Sequence, residues 1–313
     1  MQMAAGTTSY PSAYDPLLGY APRAGAHGVD NVWRRSVTIG ADGLRENGRA
    51  RPPGTPVLVL GDSFTFGDEV DDAETWPSQL EAKLARPVLN GGVFGYGLDQ
   101  MVLRGEQLLD GVARQADVVI LSVLPEDVLR CEFSYRYAWK PYFALEDGRL
   151  ALHNVPAPQP HEGPPDEPIW RRVLRHSFLA DRVFRLIDPD GWGVPDSVRV
   201  HRDGAEVAQL LVDRFAARAR ADRRAALLVI QWWPPAARAP VAELVARAHE
   251  RALPVLDLRS ALEPVANDRG VSALFRVHVE PGQPSGIGHM NAEGNRLAAE
   301  AIAAALPAAG DGV

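Results

Sequence analysis

Residues 57–68 read VLVLGDSFTFGD. Four β-branched and leucine residues in a row predict a strand covered on both faces, and they break straight into Gly61-Asp62-Ser63. A strand ending this way presents a serine hydroxyl at the carboxyl edge of a sheet, where open α/β sheets bind ligands. Serine is a weak nucleophile until a base takes its proton. One candidate base lies far downstream in Gly288-His289-Met290-Asn291, read as a loop just before an amphipathic stretch. Parallel sheets bring such distant segments together at one edge, which makes Ser63 and His289 a candidate pair for hydrolysis.

The rest of the chain agrees with a sheet of this kind. Strands are predicted at 57–61, 88–90, 118–121, 227–230 and 255–258, with helices at about 75–84, 98–110, 204–220 and 240–251, and a last one from Asn291. Five βα alternations indicate an α/β fold: a doubly wound, mainly parallel five-stranded sheet with helices on both faces, flavodoxin-like. Residues 1–55, rich in Pro, Gly and Arg, read as an extended lead-in packed on the domain, with 36–39 a candidate edge strand. Residues 56–308 form the single domain. Within it, 131–200 read as an insertion or cap, with a hairpin around Asp147-Gly148 and helix over 169–188.

Composition narrows the function classes. A net charge of −7 argues against nucleic-acid binding. The single cysteine, Cys131, excludes an intramolecular disulfide and reads as a core residue. No apolar stretch is long enough to span a bilayer, and the N-terminus lacks a secretory pattern, so a cytoplasmic location is expected. The cluster Asp62, Asp68, Glu69, Asp71, Asp72 lacks the spacing of a calcium loop and reads as a solvated acidic face. No metal and no cofactor are expected. His153, His201 and His278 read as structural or exposed.

In its motifs the chain resembles the SGNH (GDSL-type) hydrolases over residues 57 to about 306. The matching pieces are Gly61-Asp62-Ser63-Phe64, Asn90 to Gly97, a weaker Pro125-Glu126-Asp127, and His289-Met290-Asn291. The resemblance implies Ser63 as nucleophile and His289 as base. It implies an oxyanion hole from the N–H groups of Ser63 and Gly95 and an asparagine amide in the third block. Asp62 would brace the turn and Asn291 would cap the last helix.

Two positions depart from the family pattern. Position 126 is Glu126 instead of asparagine, and an ionised carboxylate only accepts hydrogen bonds. The favoured resolution turns Glu126 away to pair with Arg130, four residues on. The aspartate usual three residues before the histidine is replaced by Gly286. A Ser–His dyad held by a backbone carbonyl is therefore expected, with Asp257 and Glu280 as remote substitutes. The implied function is a serine esterase or deacylase acting through an acyl-enzyme on an O-acyl ester, a small molecule or a glycan, with an O-acetylated carbohydrate preferred. An acyltransferase and a catalytically impaired glycan- or lipid-binding relative are the alternatives. Aromatics at 131–143 and Trp232-Trp233 either line a pocket or fill the core.

Overall fold

Strands β1 (Val57–Leu60), β2 (Val88–Asn90), β3 (Val118–Val123), β4 (Ala225–Ile230) and β5 (Val255–Asp257) build one sheet. Its order is β5-β4-β3-β1-β2, and every neighbouring pair is parallel. The computed structural model describes residues 11–29, 34–160, 169–174, 176–187, 192, 197–235, 239–279 and 286–306.

Side chains of a strand alternate between faces, and the core divides accordingly. Leu58, Leu60, Val119, Leu121, Leu228 and Ile230 pack under α3 (Leu98–Asp110), α5 (Gly204–Ala221) and α6 (Ala239–Glu250). Val57, Val59, Ile120, Leu227 and Val229 face α2 (Trp76–Leu84), α7 (Arg259–Arg269) and α8 (Ala292–Ala305). Two short helices, α1 (Ser63–Phe66) and α4 (Pro125–Arg130), follow β1 and β3 directly. The chain leaves β1 toward β2 on one side and passes to β3 on the other. The crevice at the carboxyl ends of β1 and β3 is therefore the topological switch point, where this strand order places ligands.

The predicted strands and helices stand within a few residues of their expected bounds, and three differences matter. Ser36–Thr38 pairs with His27–Val29 in a separate two-stranded sheet and does not extend the main one. The edge contact comes from Arg45, whose N–H donates to the Asn90 carbonyl at 3.3 Å. Helix α7 has no clear sequence signal, because its interior Pro264 and sparse apolar positions hide the helical period. Lastly, His289 lies on a strand rather than in a loop: Gly286–Met290 pairs antiparallel with Phe275–His278.

In the 131–200 region, Phe133–Arg136, Ala138–Trp139 and Ser197–Arg199 form a three-stranded sheet. Tyr142–Glu146 and Arg149–His153 form the expected hairpin, and Asp147 and Gly148 both carry positive φ in its turn. Buried Lys140 pairs with Asp99 of α3 and donates to the carbonyls of Arg130 and Phe133, tying this region to the sheet's helical layer. Cys131 is fully buried, as expected of a core thiol.

Candidate active site

The short helix after β1 sets the serine. Asp62 caps it, accepting the Phe64 N–H at 2.9 Å, and Gly67 closes it in the left-handed region with its N–H on the Ser63 carbonyl. Ser63 is thus the first helical residue, pinned at both ends of a single turn. Oxygen Oδ2 of Asp62 lies 3.4 Å from Arg130, which also bonds Asp127 at 2.6 Å and the Tyr96 carbonyl at 2.9 Å.

The strand carrying His289 brings its ring over this turn. Nε2 of His289 is 2.9 Å from Ser63 Oγ across 226 positions of sequence. The Phe64 ring packs against the imidazole at a centroid distance of 4.8 Å. Trp233 donates from Nε1 to the Gly288 carbonyl at 3.2 Å, holding the strand just ahead of the histidine. Beyond it, the Asn291 side chain accepts the N–H groups of Glu293 and Gly294 and caps α8. Asn295 donates to the Met290 carbonyl and accepts the Trp76 N–H at 2.8 Å, so α8 and α2 fix the strand's far end.

Behind the imidazole stands Glu69. Its Oε1 lies 2.7 Å from His289 Nδ1 and accepts the His289 backbone N–H at 3.2 Å. The arrangement differs from the expected dyad: a carboxylate stands on the imidazole's other nitrogen, and it comes from the β1–α2 connection instead of the histidine's own neighbourhood. It also overturns one other reading. Asp62, Asp68, Glu69 and Asp72 are buried and are not a solvated face, because each is placed against N–H groups or basic side chains. His278 is exposed, as expected, and its Nε2 sits 3.0 Å from Glu69 Oε2. Asp257 is engaged at the start of α7 through the Arg259 N–H, and Glu280 lies outside the described residues.

Glu69 is hard to place, and its surroundings show the effort. Its backbone is left-handed, at φ 67°. Gly288 carries no Cβ, and one there would fall 2.7 Å from both carboxylate oxygens, so a glycine immediately before the histidine lets the acid reach it. Arg45, fully buried, clamps the connection. Its guanidinium donates to the carbonyls of Phe66 at 3.0 Å, Gly67 at 2.5 Å and Val70 at 2.9 Å, and to Asp72 at 3.0 Å. A rigid five-donor fork suits this task better than a lysine would.

The electrostatics follow from these contacts. Burial alone would raise the Glu69 pKa, but the hydrogen bonds and charge of His289, with His278, hold it below its ordinary value. Burial would lower the His289 pKa, but the Glu69 hydrogen bond and the charges of Asp68, Glu69 and Asp62 outweigh it and raise it. The imidazole is therefore a stronger base than free histidine, positioned on a hydroxyl.

Gly95 has φ 71°, and a Cβ there would come within 2.8 Å of the Tyr20 hydroxyl. Neither its N–H nor that of Ser63 is spent on a backbone hydrogen bond among the described residues. Glu126 occupies the first turn of α4. The expected pairing with Arg130 does not form, since Arg130 is committed to Asp62 and Asp127. Among the described residues, Oε2 of Glu126 is buried without a hydrogen-bond partner, and burial raises the pKa of this carboxyl. Among the aromatics, Phe133, Tyr135, Phe143 and Trp232 belong to the core.

No family model matches the chain, and no curated protein does. Several solved structures are similar to it. A member of the lipolytic protein G-D-S-L family from Veillonella parvula is 16% identical over 79% of this chain and 96% of its own, with a TM-score of 0.44. A mutant of an acetyl-xylooligosaccharide esterase from Geobacillus Stearmophilus is 13% identical over 82% of this chain and 96% of its own, at 0.44. An alpha/beta hydrolase enzyme from the metagenome of Lake Arreo, Spain, is 14% identical over 81% and 95%, at 0.46. Likenesses this distant carry no weight for the chemistry, which stands on the site itself.

If Glu69 orients the base, Glu69→Gln lowers kcat by about 10³-fold or more while leaving substrate KM nearly unchanged. Steady-state kinetics on any ester the protein hydrolyses check this. A loss below about threefold would show that the histidine works without the acid.

Proposed function

We propose that this protein is a serine esterase that cleaves O-acyl esters through an acyl-enzyme on Ser63. The observation that supports it most is the unbroken chain Ser63 Oγ, His289 Nε2, His289 Nδ1, Glu69 Oε1, with links of 2.9 and 2.7 Å. In the first half-reaction Ser63 Oγ bonds to the ester carbonyl carbon and its proton passes to His289 Nε2. The C–O bond to the alcohol then breaks, and the imidazolium returns the proton to the leaving oxygen. Water attacks the acyl-serine with His289 again as base, releasing the carboxylic acid and restoring the hydroxyl. Throughout, Glu69 stabilises the imidazolium and keeps Nδ1 as the protonated nitrogen. Transfer to an alcohol acceptor instead of water would use the same intermediate.

The N–H groups of Ser63 and Gly95 are the proposed donors to the oxyanion. Glu126 is the proposed third: as a neutral acid it donates an O–H where an asparagine would donate an N–H. Its buried, unpartnered oxygen and raised pKa favour that role over an ionised one. Tyr137, half-buried beside Gly95, is the aromatic ring best placed to meet a substrate, and an O-acetylated carbohydrate remains the ester to try first.

Two experiments test the proposal. Ser63→Ala is expected to lower p-nitrophenyl acetate turnover by about 10³-fold or more, and a fluorophosphonate probe is expected to modify Ser63 alone. Equal rates, or an adduct on another residue, would remove covalent catalysis at Ser63. The second concerns pH. Activity rises as His289 loses its proton, an arm set above the ordinary histidine value by Glu69, and Glu126 can donate only while it keeps its own proton. Glu126→Gln, which donates at every pH, is expected to change the pH profile and raise turnover by about tenfold or more wherever the carboxyl is ionised. An unchanged profile would take Glu126 out of the oxyanion's surroundings.

A further inference from the structure

Glu69 has a second partner that the proposed reaction does not use. Its Oε1 serves His289, and its Oε2 lies 3.0 Å from Nε2 of His278. A carboxylate only accepts hydrogen bonds, so the His278 nitrogen facing it carries a proton whether that ring is neutral or charged. The two partners differ in setting: the Glu69 side chain is 4% exposed and that of His278 is 45% exposed. A surface side chain held in one place gives up rotamer freedom, and ordinary surface pairs gain little in return. The gain here lies at the buried end, where a carboxylate oxygen without a donor is costly.

The local backbone is built around this bridge. His278 ends the strand Phe275–His278 and pairs with Gly286 of Gly286–Met290, so both histidines come from one antiparallel pair of strands. The register of that pair shifts. Phe275 opposes Met290 and Val277 opposes Ile287, which leaves Gly288 and His289 together opposite Arg276. A bulge of this kind re-aims a side chain. A Cβ at Gly288 would fall 2.5 Å from His278 Nε2 and 2.7 Å from both Glu69 oxygens. The gap left by that glycine is therefore shared: it admits the carboxylate to His289 and the second imidazole to the carboxylate.

The consequence is one of orientation. A glutamate carboxylate turns broadly about its last torsion, and contacts on Oε1 alone would leave Oε2 free to swing. A donor on Oε2 from the neighbouring strand stops that rotation. We propose that His278 is a positioning residue, holding Oε2 of Glu69 so that Oε1 stays aligned on Nδ1 of His289 while Ser63 gives up its proton. The inference rests on the serine-esterase reading for its effect on turnover, but not for the contact it invokes.

A double-mutant cycle on p-nitrophenyl acetate tests it, alongside an NMR measurement that needs no substrate. His278→Ala is expected to lower kcat by about tenfold or more with KM within about twofold. His278→Gln, whose amide N–H can reach the same oxygen, is expected to restore kcat to within about threefold of wild type. In the Glu69→Gln background His278→Ala is expected to lower kcat by less than about twofold, because the residue acts only through Glu69. Without substrate, the Nδ1 proton of His289 is expected to exchange with water about tenfold or more faster in His278→Ala, and at the wild-type rate in His278→Gln. An unchanged kcat in His278→Ala, an equal loss in both backgrounds, or an unchanged exchange rate would overturn the proposal. If the wild type were no faster than Ser63→Ala, the esterase reading would fail instead, and the exchange rate alone would decide the role of His278.

Discussion

The contact between the Glu69 carboxylate and the His289 imidazole is the interaction on which the rest of the site depends. A carboxylate taken out of water costs several kcal/mol unless it is paired and hydrogen-bonded. Here it is paired on both oxygens, to His289 and His278, and it also receives a backbone N–H. Its partner gains in turn, since the raised histidine pKa and the lowered glutamate pKa express one attraction. The linkage has a definite sign. The histidine's contribution to stability is complete below its unfolded pKa and is lost as pH rises through the raised folded value. The glutamate's is complete above its unfolded pKa and is lost as pH falls through the lowered folded value. Between those limits the contact supports fold and base alike.

Each layer of the structure serves that contact. The parallel sheet delivers β1 and β3 to one edge and leaves a crevice between their ends. The single turn of α1 fixes Ser63 there, and the bond from Trp233 to Gly288 holds the opposing strand. The lead-in has a role beyond covering the sheet, because its Arg45 satisfies three carbonyls of the segment that bears Glu69. Tyr20 from the same lead-in donates to the Phe94 carbonyl and accepts from Tyr96, bracing the glycine loop on the other side. The N-terminal segment is therefore part of the scaffold of the site.

How much of this could be read from residues alone varies with the length and periodicity of each signal. The strands were legible because their apolar runs are continuous, and the long helices because α3 and α5 keep a clear period. Ser63 and His289 were legible because each sits in a short, distinctive motif. Glu69 was hidden among four other acids, and nothing periodic separates it from them. The available hint was local: it lies between Phe66 and Val70, both fully buried, in a connection too short to carry it back to solvent. The absence of an acid at Gly286 was a second hint, since a base this deep needs one from somewhere. Strand Gly286–Met290 was missed because glycines at 286 and 288 weaken the strand signal, although Gly288 is there for the approach of Glu69. Glu126 stands out in the sequence as anomalous, but nothing in the sequence shows that Asp62 and Asp127 already hold the Arg130 guanidinium.

The most direct test is an NMR titration of the His289 imidazole in the wild-type protein and in Glu69→Gln. The account predicts that wild-type His289 titrates above the ordinary histidine value with its proton on Nδ1, and that removing the carboxylate charge lowers this pKa. An imidazole with the same pKa and the same tautomer in both proteins would contradict it.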